Sequence, residues 1–227
     1  MTGFTQEIFA YSGNVRKKDY YDLIYKLIQE SEYKTVLDIG CASGDFFKLL
    51  PFANVMGLGI DISKELIEKA NESNNKKNIS YKCVDFVCDE TLKIKSFDLI
   101  TILGTLAAIE DHIKFLDSVF ALEPKQIVIN DVFNENEIDV RCGYRRPNEG
   151  NKDFNYAYNI RSMTTIKTYL STKLNYSAEF QPYDLETLLK PTDDPTRNYH
   201  ANFNGRTVLT NGMNLVLYGY NVFITKK

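Results

Sequence analysis

The chain has 227 residues, a hydrophobic fraction of 44%, a charged fraction of 25% and a formal net charge of -3. These values are ordinary for a folded globular protein and exclude disorder, collagen and low complexity as readings of the whole chain. The slightly acidic balance argues against general nucleic-acid binding, and no apolar run approaches the ~20 residues of a membrane helix.

The opening residues, MTGFTQEIFAYSGN, lack the basic and apolar regions of a secretory signal. Cys41, Cys83, Cys88 and Cys142 form no C-x-x-C pair and there are two histidines, so no zinc site is expected. Such cysteines suit free thiols in a cytoplasmic protein better than a disulfide framework.

Taken in chain order, Tyr20, Ile24, Leu27 and Ile28 recur at helical spacing and predict a helix over 18–30. TVLDIG (35–40) reads as a short buried strand ending in glycine, followed by a helix from Asp45 that stops near Pro51. NVMGLGIDI (54–62) reads as a second strand, and Ser63 is placed to cap a helix carrying Leu66, Ile67 and Ala70. ISYKCVDF (79–86), FDLITIL (97–103) and QIVINDVF (126–133) are three further strands. Asp111 caps a helix with Leu116, Val119 and Phe120 on its face. Strands alternating with helices predict a parallel sheet covered on both faces, with any ligand along the strand C-termini.

Beyond Phe133 the rhythm changes. The polar stretch 134–155 reads as a loop carrying Arg141, Arg145, Arg146 and Lys152. Residues 161–173 suit a helix, and 177–185 and 214–226 suit strands. The polar segment 190–206 between those strands reads as a long loop of the kind that is usually functional. No repeat or linker divides the chain, so 1–227 is expected to be one domain.

The stretch VLDIGCASGDF (36–46) carries the most chemistry. Glycines just past a buried strand let the backbone turn sharply and approach a ligand. The next helix N-terminus offers free N–H groups and positive dipole. Asp61, in GLGIDIS, ends the second strand, where a carboxylate accepts ribose hydroxyls in doubly wound sheets. The glycines are spaced G-x-A-x-G, not the G-x-G-x-x-G of a pyrophosphate site, which argues against an NAD-dependent oxidoreductase. Asp38 lies two residues before Gly40; a carboxylate there is unwelcome beside a pyrophosphate and suits a ligand with an ammonium group.

These residues resemble the class I S-adenosylmethionine-dependent methyltransferases. LDIGCASG is similar to their first motif, D-x-G-x-G-x-G, with Ala42 at the middle glycine. IDIS, CVDF and FDLITILGTLAAIED are similar to the motifs of the second, third and fourth strands, and the series covers about 30–133. The resemblance implies a Rossmann-like α/β fold: a doubly wound seven-stranded sheet, mostly parallel, with an antiparallel last strand. It implies S-adenosylmethionine as cofactor and a cofactor half at about 30–133, with substrate-side elements at about 1–29 and 134–227.

The cofactor residues implied are Asp38, Gly40, Ala42 and Gly44, then Asp61 with Ile62 for the ribose. Asp85 with Phe86 would serve the adenine, and Leu103 with Gly104 the methionine portion. Ala42 takes positive φ less readily than glycine, so the middle of the turn is expected to be relaxed or displaced. A side chain at Gly40 is expected to intrude on cofactor space.

Each of these residues also has a plain structural reading. The glycines suit any strand–helix turn, Asp61 a helix cap, and Asp85 a turn. His112 suits a helix start and His200 an exposed loop. Against that background His200 and Asp131 are the candidate bases for oxygen methylation. Arg141, Arg145 and Arg146 are the candidate anion clamp, with Tyr199 beside His200 on the substrate side. Asn130-Asp131 raises a metal question, but Ile102-Leu103-Gly104 supplies no further carboxylate, so no metal is expected. The expected function is O-methylation of a small anionic metabolite, phosphate- or nucleotide-bearing, or of a surface-glycan precursor. N-methylation or a silent cofactor-binding subunit are the alternatives. No nucleic-acid or membrane partner is expected, and the oligomeric state is not legible.

Overall fold

Each apolar run of the first half is short, β-branched and closed by glycine, aspartate or a polar turn, and each forms a strand. A computed structural model describes residues 18–92, 96–145, 156–182, 198–211 and 215–227. Its strands are β1 (Thr35–Ile39), β2 (Met56–Asp61), β3 (Ile79–Cys83), β4 (Leu99–Leu103), β5 (Gln126–Asn134) and β6 (Val140–Tyr144). They continue as β7 (Tyr156–Ser162), β8 (Tyr176–Pro182), β9 (Tyr199–Phe203), β10 (Arg206–Thr210) and β11 (Val216–Lys226). The helices are α1 (Asp19–Glu30), α2 (Asp45–Leu49), α3 (Lys64–Glu72), α4 (His112–Phe120) and α5 (Met163–Ser171).

Strands β3-β2-β1-β4-β5 are parallel neighbours in that order. β11 then runs antiparallel to β5, from Tyr218 opposite Phe133 to Thr225 opposite Gln126. β8 pairs antiparallel with β11. These seven strands are the expected mostly parallel, doubly wound sheet with its antiparallel last strand.

Alternation along the strands divides the core. Leu37, Ile39, Ile60, Ile100, Ile102, Ile127 and Ile129 pack on one face with α4 and α5. Val36, Leu99, Leu103 and Val128 pack on the other with α1, α2 and α3. On that second face Gly59 leaves room for Tyr81: a Cβ there would lie 2.6 Å from the ring. Ser63 and Asp111 cap α3 and α4 as expected, accepting the Leu66 and Lys114 N–H groups.

Two polar stretches expected to be loops contain strands. Within 134–155, β6 pairs antiparallel with β7, whose Arg161 also lies opposite Phe133 of β5. Here alternation is half-exposed, so no strong apolar run announces it. Within 190–206, β9 and β10 form a hairpin with Phe203 opposite Arg206. The two residues between, Asn204 and Gly205, both have positive φ (51° and 77°). Asn-Gly is the dipeptide that such two-residue hairpin turns demand, and it was the available signal. Residues 146–155 and 183–197 lie outside the described part.

Between β5 and β11, the buried Asn130 and Asn221 face each other, and the Asn130 amide donates to the Asn221 side-chain oxygen (2.8 Å). Asn221→Leu leaves the Asn130 amide without that acceptor and is expected to cost about 1–3 kcal/mol. Urea unfolding will report this as a lower midpoint at constant m-value; an unchanged midpoint would show that the pair contributes nothing.

Candidate active site

The strand order changes direction between β1 and β4, and the helices that follow these strands lie on opposite faces, the arrangement that places ligands at the strand C-termini of doubly wound sheets. β1 leaves the sheet through a tight turn: the Gly40 and Cys41 N–H groups both donate to the Ile60 carbonyl (2.8 and 3.0 Å). Gly40 and Gly44 have φ of 76° and 84°, and Gly44 immediately precedes α2.

The middle of the turn corrects one expectation. Ala42 is not relaxed out of the left-handed region; its φ is 48°. Such a conformation costs about 1–2 kcal/mol for a residue with a Cβ. The Ala42 N–H donates to Asp61 Oδ2 (2.9 Å), which helps to hold it. At Gly40 a Cβ would lie 2.2 Å from Thr105 Oγ1, so the β4–α4 segment by itself leaves no room for a side chain there.

Three buried or half-buried carboxyls line this edge. Asp38 is 2% exposed and accepts from Thr101 Oγ1 (2.8 Å), its register partner on β4. Burial pushes its pKa up to about 7 against the pull of Thr101 and of the Lys18 charge. Asp61 accepts the Ser63 N–H on Oδ1 (2.8 Å) and the Ala42 N–H on Oδ2; burial raises it and these bonds hold it down. Asp131, at the end of β5, accepts the Ala107 N–H on Oδ2 (3.2 Å) and the Val132 N–H on Oδ1 (2.8 Å). Burial lifts it to about 6.

Around these, Ile62 is 54% exposed directly after Asp61. Asp85 is exposed in a turn and accepts the Val87 N–H (3.2 Å), so its turn role is satisfied. Phe86, expected beside the adenine, instead points its ring into the core, edge-on to Phe115 at 5.6 Å. Leu103 is also core. Gly104 is exposed with φ 73°; its N–H donates to the Asn130 carbonyl (2.7 Å), and a Cβ on it would meet open space.

The substrate-side residues are scattered more than the sequence suggests. Tyr199 and His200 sit on β9, opposite Thr210 and Leu209. Adjacent strand residues face opposite ways, so the two cannot both serve one acceptor. β9 is three strands from β5 through β10 and β11, about 14 Å at ordinary strand spacing. Arg141 is exposed on β6 and ion-paired to Glu110; Arg145 is exposed just beyond β6. Arg146, Lys152 and Arg197 lie outside the described residues.

Two tyrosines missed as site residues join the cluster. Tyr20, in the first turn of α1, is buried, and its hydroxyl is pushed up by burial and then by the charges of Asp38 and Asp131. Lys18 stands over its ring at 5.5 Å. Tyr158 on β7 is raised by burial and by Asp131, and its hydroxyl accepts from the Asn198 amide (3.5 Å). Tyr20 belongs to the apolar stripe of a helix, which conceals any other role; Tyr158 lies in the Tyr-rich segment 156–176, whose aromatics suit stacking on an acceptor as well as core packing, so the sequence does not single it out. Among the described residues, no three His, Cys, Asp or Glu side chains are grouped to hold a metal. Among them, too, no helix is long and apolar enough to cross a membrane.

The chain is similar to known proteins in sequence and in fold. A family model described as a methyltransferase domain matches residues 30–178. No curated protein matches. Solved structures do. The N-terminal domain of EvdMO1, solved with S-adenosylhomocysteine bound, has a TM-score of 0.64 at 10% identity, over 93% of this chain and 82% of that one. An S-adenosylmethionine-dependent methyltransferase from Methanosarcina mazei has 0.63 at 17% identity, over 92% and 99%. Magnesium protoporphyrin IX methyltransferase from Synechocystis, solved with S-adenosylmethionine bound, has 0.56 at 12% identity, over 91% and 78%. At these identities the likeness is one of fold.

The raised carboxyls make a pH prediction. Asp38 titrates near 7 folded and near 3.8 in the unfolded reference, so the native state holds the extra proton between those values. Its contribution to stability therefore falls as pH rises through that window, by at most about 1.4 kcal/mol per pH unit. Asp38→Asn removes this share. Relative to the parent it is expected to gain stability from pH 4.5 to about 7, levelling off above that, in urea unfolding of the ligand-free protein. A difference that does not change with pH would mean that Asp38 is not held protonated.

Proposed function

Because the chain belongs to the methyltransferase-domain family matched over residues 30–178, we propose that it transfers the methyl group of S-adenosylmethionine to an oxygen of a small-molecule acceptor. The observation that carries the cofactor reading is the cradle at the end of β1: a left-handed turn over 40–44, a buried Asp38 carboxyl and the Asp61 carboxyl beside an exposed Ile62. The residues present fit the group. Asp61 spends one lone pair of each oxygen on a backbone N–H and keeps capacity for ribose hydroxyls. Asp38 has a hydroxyl partner and no ion pair among the described residues, and suits an ammonium. Ile62 offers an apolar surface to the adenine, and Gly104 leaves space at the end of β4.

When bound, S-adenosylmethionine supplies an electrophilic methyl on a sulfonium. The protein's task is to align an acceptor with it, exclude water and receive a proton. Asp131 is the proposed base in place of His200. It lies next to Asn130, whose carbonyl accepts the Gly104 N–H, whereas His200 is three strands away. A carboxyl near 6 is largely ionised at neutral pH yet basic enough to take a proton. An anionic acceptor remains the favoured class. The Arg141–Glu110 pair is exposed, such pairs are worth about 0–1 kcal/mol, and an acceptor anion can compete for Arg141. Arg145 follows it on the same hairpin.

Calorimetry with S-adenosylhomocysteine is expected to show binding, and Asp61→Ala to weaken it by about 1–3 kcal/mol. Binding of NAD in its place would overturn the cofactor reading. In a screen of phosphorylated and carboxylated acceptors with labelled methyl donor, Asp131→Asn is expected to lower kcat about 10²-fold at unchanged S-adenosylhomocysteine affinity. Full turnover in that variant would remove Asp131 as the base.

A further inference from the structure

The segment after β4 touches both halves of the site. At one end, Thr105 fills the space beside Gly40 and its hydroxyl donates to the Ile39 carbonyl (3.3 Å). Two residues on, the Ala107 N–H donates to Asp131 (3.2 Å). Its outward carbonyls are held by one strand. Asn159 and Arg161 are alternate residues of β7, so both side chains leave it on the same face. The Asn159 amide donates to the carbonyls of Ala107 (3.1 Å) and Ile109 (3.2 Å). One terminal nitrogen of Arg161 donates to those of Ile109 (3.0 Å) and Glu110 (2.8 Å).

Holding a guanidinium there is expensive. Arg161 is 8% exposed and Asn159 3%. Among the described residues Arg161 makes no ion pair with a carboxylate, and its Nε is buried without a partner. Burial lowers its pKa. An apolar side chain would fill such a position at lower cost if packing were the only requirement. What an apolar side chain cannot do is hold successive carbonyls of an irregular turn, where no ladder supplies their partners.

We propose that Asn159 and Arg161 are positioning residues for the cofactor site. They pin residues 105–110 so that Thr105 stays against the Gly40 turn, Gly104 stays open and the Ala107 N–H stays on Asp131. The inference rests on the cofactor reading given above. It assigns the β6–β7 hairpin, beyond the five parallel strands, a part in binding at β1 and β4.

The test uses the full chain and S-adenosylhomocysteine as probe, titrated by calorimetry at a temperature where every variant is folded. Asn159→Leu and Arg161→Met are each expected to raise its Kd about tenfold, the loss of one or two hydrogen bonds' worth of ordering. Arg161→Lys should recover part of that loss, because an ammonium can still donate to a carbonyl. Amide exchange over 106–110 should accelerate in the Leu and Met variants and return towards the parent in the Lys variant. Lower melting temperature with unchanged Kd would show a merely structural role and overturn the proposal. If Arg161→Met does not fold, Asn159→Leu and Arg161→Lys carry the same test. Should the parent itself fail to bind, the cofactor reading fails with it; faster exchange over 106–110 in the variants then still supports the clamp, and unchanged exchange overturns it.

Discussion

The hydrogen bond from Thr101 to Asp38 ties together the two strands between which the sheet changes direction. It forms because β1 and β4 are in register at these two residues, both facing the side covered by α1. A carboxyl buried there with no ion pair among the described residues is a standing cost, and its raised pKa expresses that cost. It also sets the chemistry of this edge of the sheet, which is carboxyl-rich and suited to a ligand carrying positive charge. Asp61 and Asp131, likewise raised by burial, extend that character to either side.

The backbone around Asp38 is shaped by small contacts more than by large ones. The turn over 40–44 has three residues with positive φ, and one of them is an alanine. What stabilises it is Asp61, which accepts from Ala42 and from Ser63 and so joins the end of β1 to the start of α3. Asp61 is therefore both a brace between the turn and the cap residue of α3 and a proposed ribose acceptor. The two readings use different lone pairs of one carboxylate and do not compete.

The two hairpins differ in what they attach to. β6–β7 reaches inward, with Asn159 and Arg161 gripping the segment after β4. β9–β10 extends the sheet beyond β11, and Asn198 links it to Tyr158 and Asn211. The first is bound to the proposed cofactor half by buried polar groups. The second carries exposed residues such as Phe203 and ends the sheet at β9, the edge strand beyond β11 and β10.

The sequence by itself determined the five parallel strands, their helices, the caps at Ser63 and Asp111 and the turn at the end of β1, because each is written in local periodicity, capping residues or glycine spacing. Through the resemblance of its motifs it also determined a mostly parallel seven-stranded sheet with an antiparallel last strand, and the acidic residues at the strand ends with it; the order of the strands came from the structure. Only the tertiary structure decided which of these residues meet. Phe86 and Asp85 are neighbours, yet one is core and the other solvent; Tyr199 and His200 are neighbours, yet they face apart. Thr101 and Thr105 lie within the fourth-strand motif but nothing in it marks their partners, and Tyr20, Asn159 and Arg161 lie in no motif; these roles arise from register between strands distant in sequence and from buried carbonyls that some donor has to satisfy.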